Sequence, residues 1–169
     1  FVFAGKAHPA DEAGKHHLQS IFRQALDSRM AGRVAFVDDY DLHVAHLLVQ
    51  GCDVWLNTPR KPLEASGTSG MKASMNGTLH LSIADGWWAE GHTYLNGWAI
   101  EGKPTSSDID AVDAADAEAL YALLESEVIP AFYERDARGL EESGARGEPG
   151  HPWLLALALA VVPGARHGP

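Results

Sequence analysis

Positions 64 to 72 of this chain read EASGTSGMK. These nine residues hold two glycines, three hydroxyl side chains, one carboxylate and one lysine. Small residues let a backbone approach an anion closely. A helix N-terminus adds unpaired N–H groups and a partial positive charge. A helix starting near Thr68 would offer the N–H groups of Thr68, Ser69 and Gly70. Lys72 lies four residues beyond Thr68, on the same helical face one turn later, about 6 Å further along the axis. Pyridoxal 5'-phosphate matches that spacing: its phosphate and aldehyde are neighbouring substituents on one ring, and the aldehyde condenses with a lysine amine. Two other phosphate motifs do not fit. The P-loop needs four residues between its glycines, then Lys followed by Ser or Thr. Gly67 and Gly70 have two residues between them, and Ala73 follows Lys72. The dinucleotide fingerprint GxGxxG is absent. On residue types alone a second reading stays open, a loop that merely caps a helix.

The elements that must position this stretch follow from periodicity. Residues 1–4 read as a strand already under way, as in a piece of a longer protein. A loop rich in Gly and Pro follows, GKAHPADEAGK. Leu18, Ile21, Phe22, Ala25, Leu26 and Met30 have helical spacing, and Gly32 stops that helix. Residues 34–37 form a short apolar strand. Leu42, Ala45, Leu48 and Val49 fit a second helix ending at Gly51. Residues 53–56 are a third strand, followed by the loop NTPRKP. A third helix begins within SGTSGMKASMN and ends near Asn76 and Gly77. TLHLSI is the fourth strand, Asp85-Gly86 a turn, and residues 98–100 a further short strand. Residues 113–136 are a helix with Leu120, Leu123, Leu124 and Val128 on one face and Asp113 or Asp116 near its N-terminal end. Alternating short apolar strands and helices predict an α/β fold, a doubly wound, Rossmann-like parallel sheet. Ligands in such sheets bind outside the C-terminal ends of the strands. The loops after Ala4, Val37 and Leu56 leave those ends, and the quoted stretch lies on the third.

Composition narrows the function. The 169 residues suffice for one core, and the net charge of −10 disfavours nucleic acid or an anionic membrane as main partner. Cys52 is the only cysteine, which predicts a reducing, cytoplasmic setting. No window approaches the ~18 apolar residues of a membrane span. His43 and His46 stand three apart on a predicted helix, but no acid or cysteine completes a set, so no metal site is expected. Trp87 and Trp88 read as core with partial exposure, or as a platform for a sugar ring.

The segment PLEASGTSGMKASMNG resembles the cofactor segment of the α-glucan (glycogen, starch, maltodextrin) phosphorylases. FAGKAHPADEAGK, DDYD, QGCDVWLNTPR, DGWWAEG and NGWAI resemble the short bacterial branch of that family. The resemblance runs from Phe1 to about Leu140. It implies part of the C-terminal half of a two-domain GT-B glycosyltransferase, with residues 1–140 as its cofactor-binding portion. It implies that Lys72 carries pyridoxal 5'-phosphate and that Thr68 and Ser69 hold the cofactor phosphate through backbone N–H groups. Glu64 would bind sugar hydroxyls, with Ala65, Ser66 and Gly67 presenting N–H groups to the same sugar. Tyr40, in DDYD, matches a tyrosine beside the cofactor. The next position is often basic in animal members and is Asp41 here. Lys6 is a further candidate for the same cleft. On residue type alone, Glu64 also reads as an acid favoured near a helix start, and Tyr40 as a packed turn tyrosine.

The implied reaction is phosphorolysis of an α-1,4-glucan by inorganic phosphate, giving glucose 1-phosphate. The remaining cations would come from family segments upstream of Phe1, so residues 1–169 alone are expected to be inactive. The alternatives are a nucleotide-sugar glycosyltransferase of the same fold, such as a glycogen synthase, and a non-catalytic fragment that binds an anion or sugar. Residues 141–169 hold no Lys, are rich in Ala, Gly and Pro, and resemble no family segment. They are expected as a separate tail, disordered or out of frame.

Overall fold

The computed structural model describes residues 1–30, 32–102, 107–133 and 157–160. Six strands form one sheet: β1 (Val2–Ala4), β2 (Ala35–Val37), β3 (Val54–Asn57), β4 (Leu79–Ile83), β5 (Gly97–Ile100) and β6 (Leu157–Ala160). Their spatial order is β2-β1-β6-β3-β4-β5, and every neighbouring pair is parallel. The helices are α1 (Glu12–Ala25), α2 (Leu42–Gly51), α3 (Thr68–Met75), α4 (Trp88–Gly91), α5 (Ile109–Leu123) and α6 (Ile129–Tyr133). An α/β parallel sheet is thus what the periodicity predicted.

Alternation along β3 and β4 builds two cores. Val54, Leu56, Leu81 and Ile83 point to one face, where they meet Ile100, Leu124 and Val128. Leu120 and Leu123 pack against that cluster, so the predicted apolar face of the long helix is the face that is covered. Trp55 points the other way, into Val49 of α2, Cys52 just after it and Ala73 of α3. Helices therefore cover both faces, and period-two strands sort their side chains between them.

Several boundaries differ from those predicted. α1 starts earlier, at Glu12, because the Asp11 carboxylate accepts from the Gly14 N–H at 2.9 Å. It also ends earlier, at Ala25. Asp27 accepts from the Arg29 backbone and pairs with its guanidinium, and Ser28–Met30 becomes a separate 3₁₀ turn. Met30 is therefore not on the face of α1. α5 begins at Ile109, capped by Asp108, which accepts from the Ala111 N–H at 3.1 Å. Asp113 lies inside the helix and pairs with Arg60 instead, at 2.6 Å. The segment Leu124–Val128 is π-helical. Pro130 explains it: its ring has no N–H for the carbonyl of Ser126, and the turn before it widens. Residues 134–136 of the predicted helix lie outside the described residues.

Of residues 141–169, the described part is Leu157–Ala160, which forms β6 between β1 and β3. The rest of the expected tail lies outside the described residues.

Candidate functional site

The chain leaves β3 at Asn57 and turns at Arg60, whose carbonyl accepts from the Leu63 N–H. It then runs as an irregular loop through Glu64, Ala65 and Ser66 into α3. Gly67 is the residue before that helix, with φ 82° and ψ 46°. This left-handed conformation is open to glycine and costs any other L-residue about 1 kcal/mol or more. Gly67 is buried, and a Cβ there would sit 3.1 Å from the Trp87 ring.

Among the described residues, no side chain caps α3. The first-turn N–H groups of Thr68, Ser69 and Gly70 therefore keep the anion-attracting character of a helix end. Ser69 is held from behind. Its Oγ accepts from Asn57 Nδ2 at 3.2 Å, and Asn57 Oδ1 accepts from the Trp55 indole at 3.1 Å. Lys72 stands one turn along, exposed, and its ammonium makes no ion pair among the described residues. The open first turn and the uncommitted amine one turn away fit a ligand that carries both a phosphate and an aldehyde.

The floor beneath α3 is His80 of β4, only 1% exposed. Its Nδ1 lies 3.0 Å from the Trp55 carbonyl, so that nitrogen carries the proton and Nε2 does not. Burial pushes the ring down to about 4, well below an ordinary histidine, so it is neutral near pH 7. A Cβ on Gly70 would collide with this ring, so the start of α3 lies directly on His80. Trp87 stacks on the same ring at 5.7 Å, and Trp88 meets it edge-on at 4.6 Å. Trp88 is fully buried and Trp87 half-buried.

The remaining candidates fall into two groups. Glu64, Ala65, Ser66, Gly67, Thr68, Ser69 and Lys72 lie together on one loop and one helix. Tyr40 follows β2, three strand positions from β3 in the sheet. At the usual spacing that is about 14 Å, at the same edge but not adjacent. Burial raises the Tyr40 hydroxyl above its ordinary value. Asp41 caps α2, accepting from the Val44 N–H at 2.8 Å, and that bond holds its carboxyl low. Lys6 pairs with Asp39 at 2.9 Å and joins the loops after β1 and β2. Sequence reasoning passed over Asn57, His80 and Asp85. Asn57 carried the clearest signal, a polar residue at the C-terminal end of a predicted strand.

A profile of the carbohydrate phosphorylase family matches residues 1–92. The chain is similar to a glycogen phosphorylase of Aquifex aeolicus, 60% identical over 139 residues, covering 82% of this chain and 20% of the relative. It is 48% identical over 137 residues to a maltodextrin phosphorylase of Thermococcus litoralis, covering 81% of this chain and 16% of the relative. It is 50% identical over 141 residues to a glycogen phosphorylase of Mycobacterium tuberculosis, covering 83% and 16%. The chain spans a fifth or less of the length of these relatives. No solved structure matches it significantly.

Proposed function

The chain belongs to the carbohydrate phosphorylase family, and we propose from that premise that it supplies the cofactor-binding wall of an α-1,4-glucan phosphorylase. The observation that carries this reading is the uncapped N-terminus of α3 with Lys72 one turn beyond it. The reaction is reversible phosphorolysis. The bond from C1 of the terminal glucose to the chain oxygen breaks, and a bond from C1 to an oxygen of inorganic phosphate forms. The departing chain oxygen takes a proton, and glucose 1-phosphate leaves.

Lys72 is the residue that would hold pyridoxal 5'-phosphate. When bound, that group supplies a phosphate with a second pKa near 6, able to give and take a proton near neutrality. The N–H groups of Thr68 and Ser69 would orient the anion, and the helix end would offset part of its charge. Asn57 would keep the Ser69 hydroxyl turned toward β3. Glu64 would accept hydrogen bonds from sugar hydroxyls, with the N–H groups of Ala65, Ser66 and Gly67 beside it. Tyr40 would border the same cleft from the β2 loop. The larger frame we propose is a GT-B glycosyltransferase, with this sheet as part of its C-terminal half. Cys52, buried and reduced, suits a cytoplasmic setting. Among the described residues, no helix is long and apolar enough to cross a membrane.

The test is release of glucose 1-phosphate from maltodextrin by the intact protein. Phosphate-dependent release that disappears in Lys72→Ala supports the reading. Transfer from a nucleotide sugar, undiminished in that variant, would point to a glycogen-synthase-like enzyme instead.

A further inference from the structure

The turn after β4 holds the loop at 64–67 by three separate contacts. Asp85 Oδ2 accepts from the Glu64 backbone N–H at 2.9 Å. The Trp87 N–H donates to the Ser66 carbonyl at 2.9 Å. Between them Gly86 has φ 53°, and a Cβ there would lie 2.7 Å from the Ser66 oxygen and 3.0 Å from the Glu64 oxygen. The loop itself has no regular structure, so these contacts replace the ladder a strand would have provided. The Trp87 indole then lies against Gly67 and also stacks on His80. His80 in turn supports Gly70 at the start of α3. One turn thus fixes the loop, and through His80 it also fixes the loop against the helix end.

We propose that Asp85 and Trp87 are positioning residues that set the distance between Glu64 and the N-terminus of α3. This role rests on the glucan-phosphorylase reading, in which Glu64 faces the sugar and the helix end faces phosphate. A sugar and the phosphate that would supply the proton for its transfer must be held at one spacing. A loop free to shift by an ångström loses rate without losing either ligand. The Trp87 Nε1–H is buried with no hydrogen-bond partner among the described residues. Its would-be neighbour Cβ on Gly67 is equally close, 3.6 Å, to the Glu64 Cγ. The indole edge and the Glu64 side chain thus both border Gly67, the residue that leads into α3.

The test uses Asp85→Ala, Asp85→Asn and Trp87→Phe in the intact protein, read by amide hydrogen exchange, cofactor content and kinetics with maltodextrin. In Asp85→Ala, exchange at residues 64–67 should rise about tenfold or more, the scale of one lost charged hydrogen bond. kcat/KM should fall by a similar factor while cofactor content stays at the wild-type level. Asp85→Asn keeps an acceptor oxygen and should restore both to within about threefold. Wild-type exchange in Asp85→Ala, or equal losses in the Ala and Asn variants, would overturn the proposal. So would cofactor loss in step with activity. Where Asp85→Ala does not fold, Trp87→Phe decides: faster exchange at residues 66–67 supports the clamp, and unchanged exchange refutes it. A wild-type protein without phosphorolysis would sink the family-based reading. The exchange result would then still decide whether the clamp exists.

Discussion

Glu64 is tied to the turn after β4 by its backbone N–H, while its carboxylate enters no ion pair among the described residues. If that carboxylate orients sugar hydroxyls, Glu64→Gln should lower kcat/KM by about 1.5–3 kcal/mol of transition-state stabilisation, the scale of hydrogen bonds to charged groups. Cofactor content should not change. Steady-state kinetics and absorbance of the same sample check both halves, and loss of cofactor would count against the role. His80 gives a pH prediction. Its folded value, about 4, lies below the unfolded value near 6.5, so the unfolded chain binds more protons between them. Stability from the neutral ring is complete above about pH 6.5 and is lost as pH falls toward 4, by at most ~3 kcal/mol. Urea unfolding at pH 7 and pH 5 should show the fall, and His80→Asn should flatten it. An equal slope in that variant would remove His80 as the cause. Lys72, Thr68 and Glu64 stood out in the sequence because they lie within nine consecutive residues, and the structure keeps them on one loop and one helix. His80 and Asp85 were not, because a buried histidine and a turn aspartate acquire a role only when β4 is placed beside α3.

At the scale of elements, α3 depends on contact with β4. Gly70→Ala would drive a methyl into the His80 ring. Overpacking of this kind costs about 1–3 kcal/mol. The double variant Gly70→Ala/His80→Ala should recover part of that loss, because the space is returned. Denaturation of the two single variants and the double measures the coupling, and strict additivity would show that the two residues do not meet. The start of α3 was readable from its small residues. The early start of α1 was not, since Asp11 and Gly14 sit in a stretch whose Gly and Pro content signals a loop. A carboxylate cap on the Gly14 N–H outweighs that signal. The 3₁₀ turn at Ser28–Met30 escaped for a similar reason, because apolar spacing continued through a local Asp27–Arg29 pairing.

At the scale of the molecule, parallel strands covered on both faces put the loops after β1, β2 and β3 at one edge. That much follows from strand-helix alternation. The strand order does not, because β6 reaches its central place from more than fifty residues beyond β5, and such distant pairing leaves no local mark. The relatives are about four to five times longer than this chain, so it corresponds to a minority of their length. Residues 1–169 expressed alone with pyridoxal 5'-phosphate should therefore release no glucose 1-phosphate from maltodextrin above a Lys72→Ala control. Water would not be excluded from one open wall. Clear turnover would show a more self-contained site. The amine one turn beyond an uncapped helix end carries the cofactor assignment. Borohydride reduction of the intact protein with pyridoxal 5'-phosphate, followed by peptide mass mapping, tests that placement directly. The reduced cofactor is expected on Lys72, and finding it on Lys61, or on no lysine at all, would contradict the assignment.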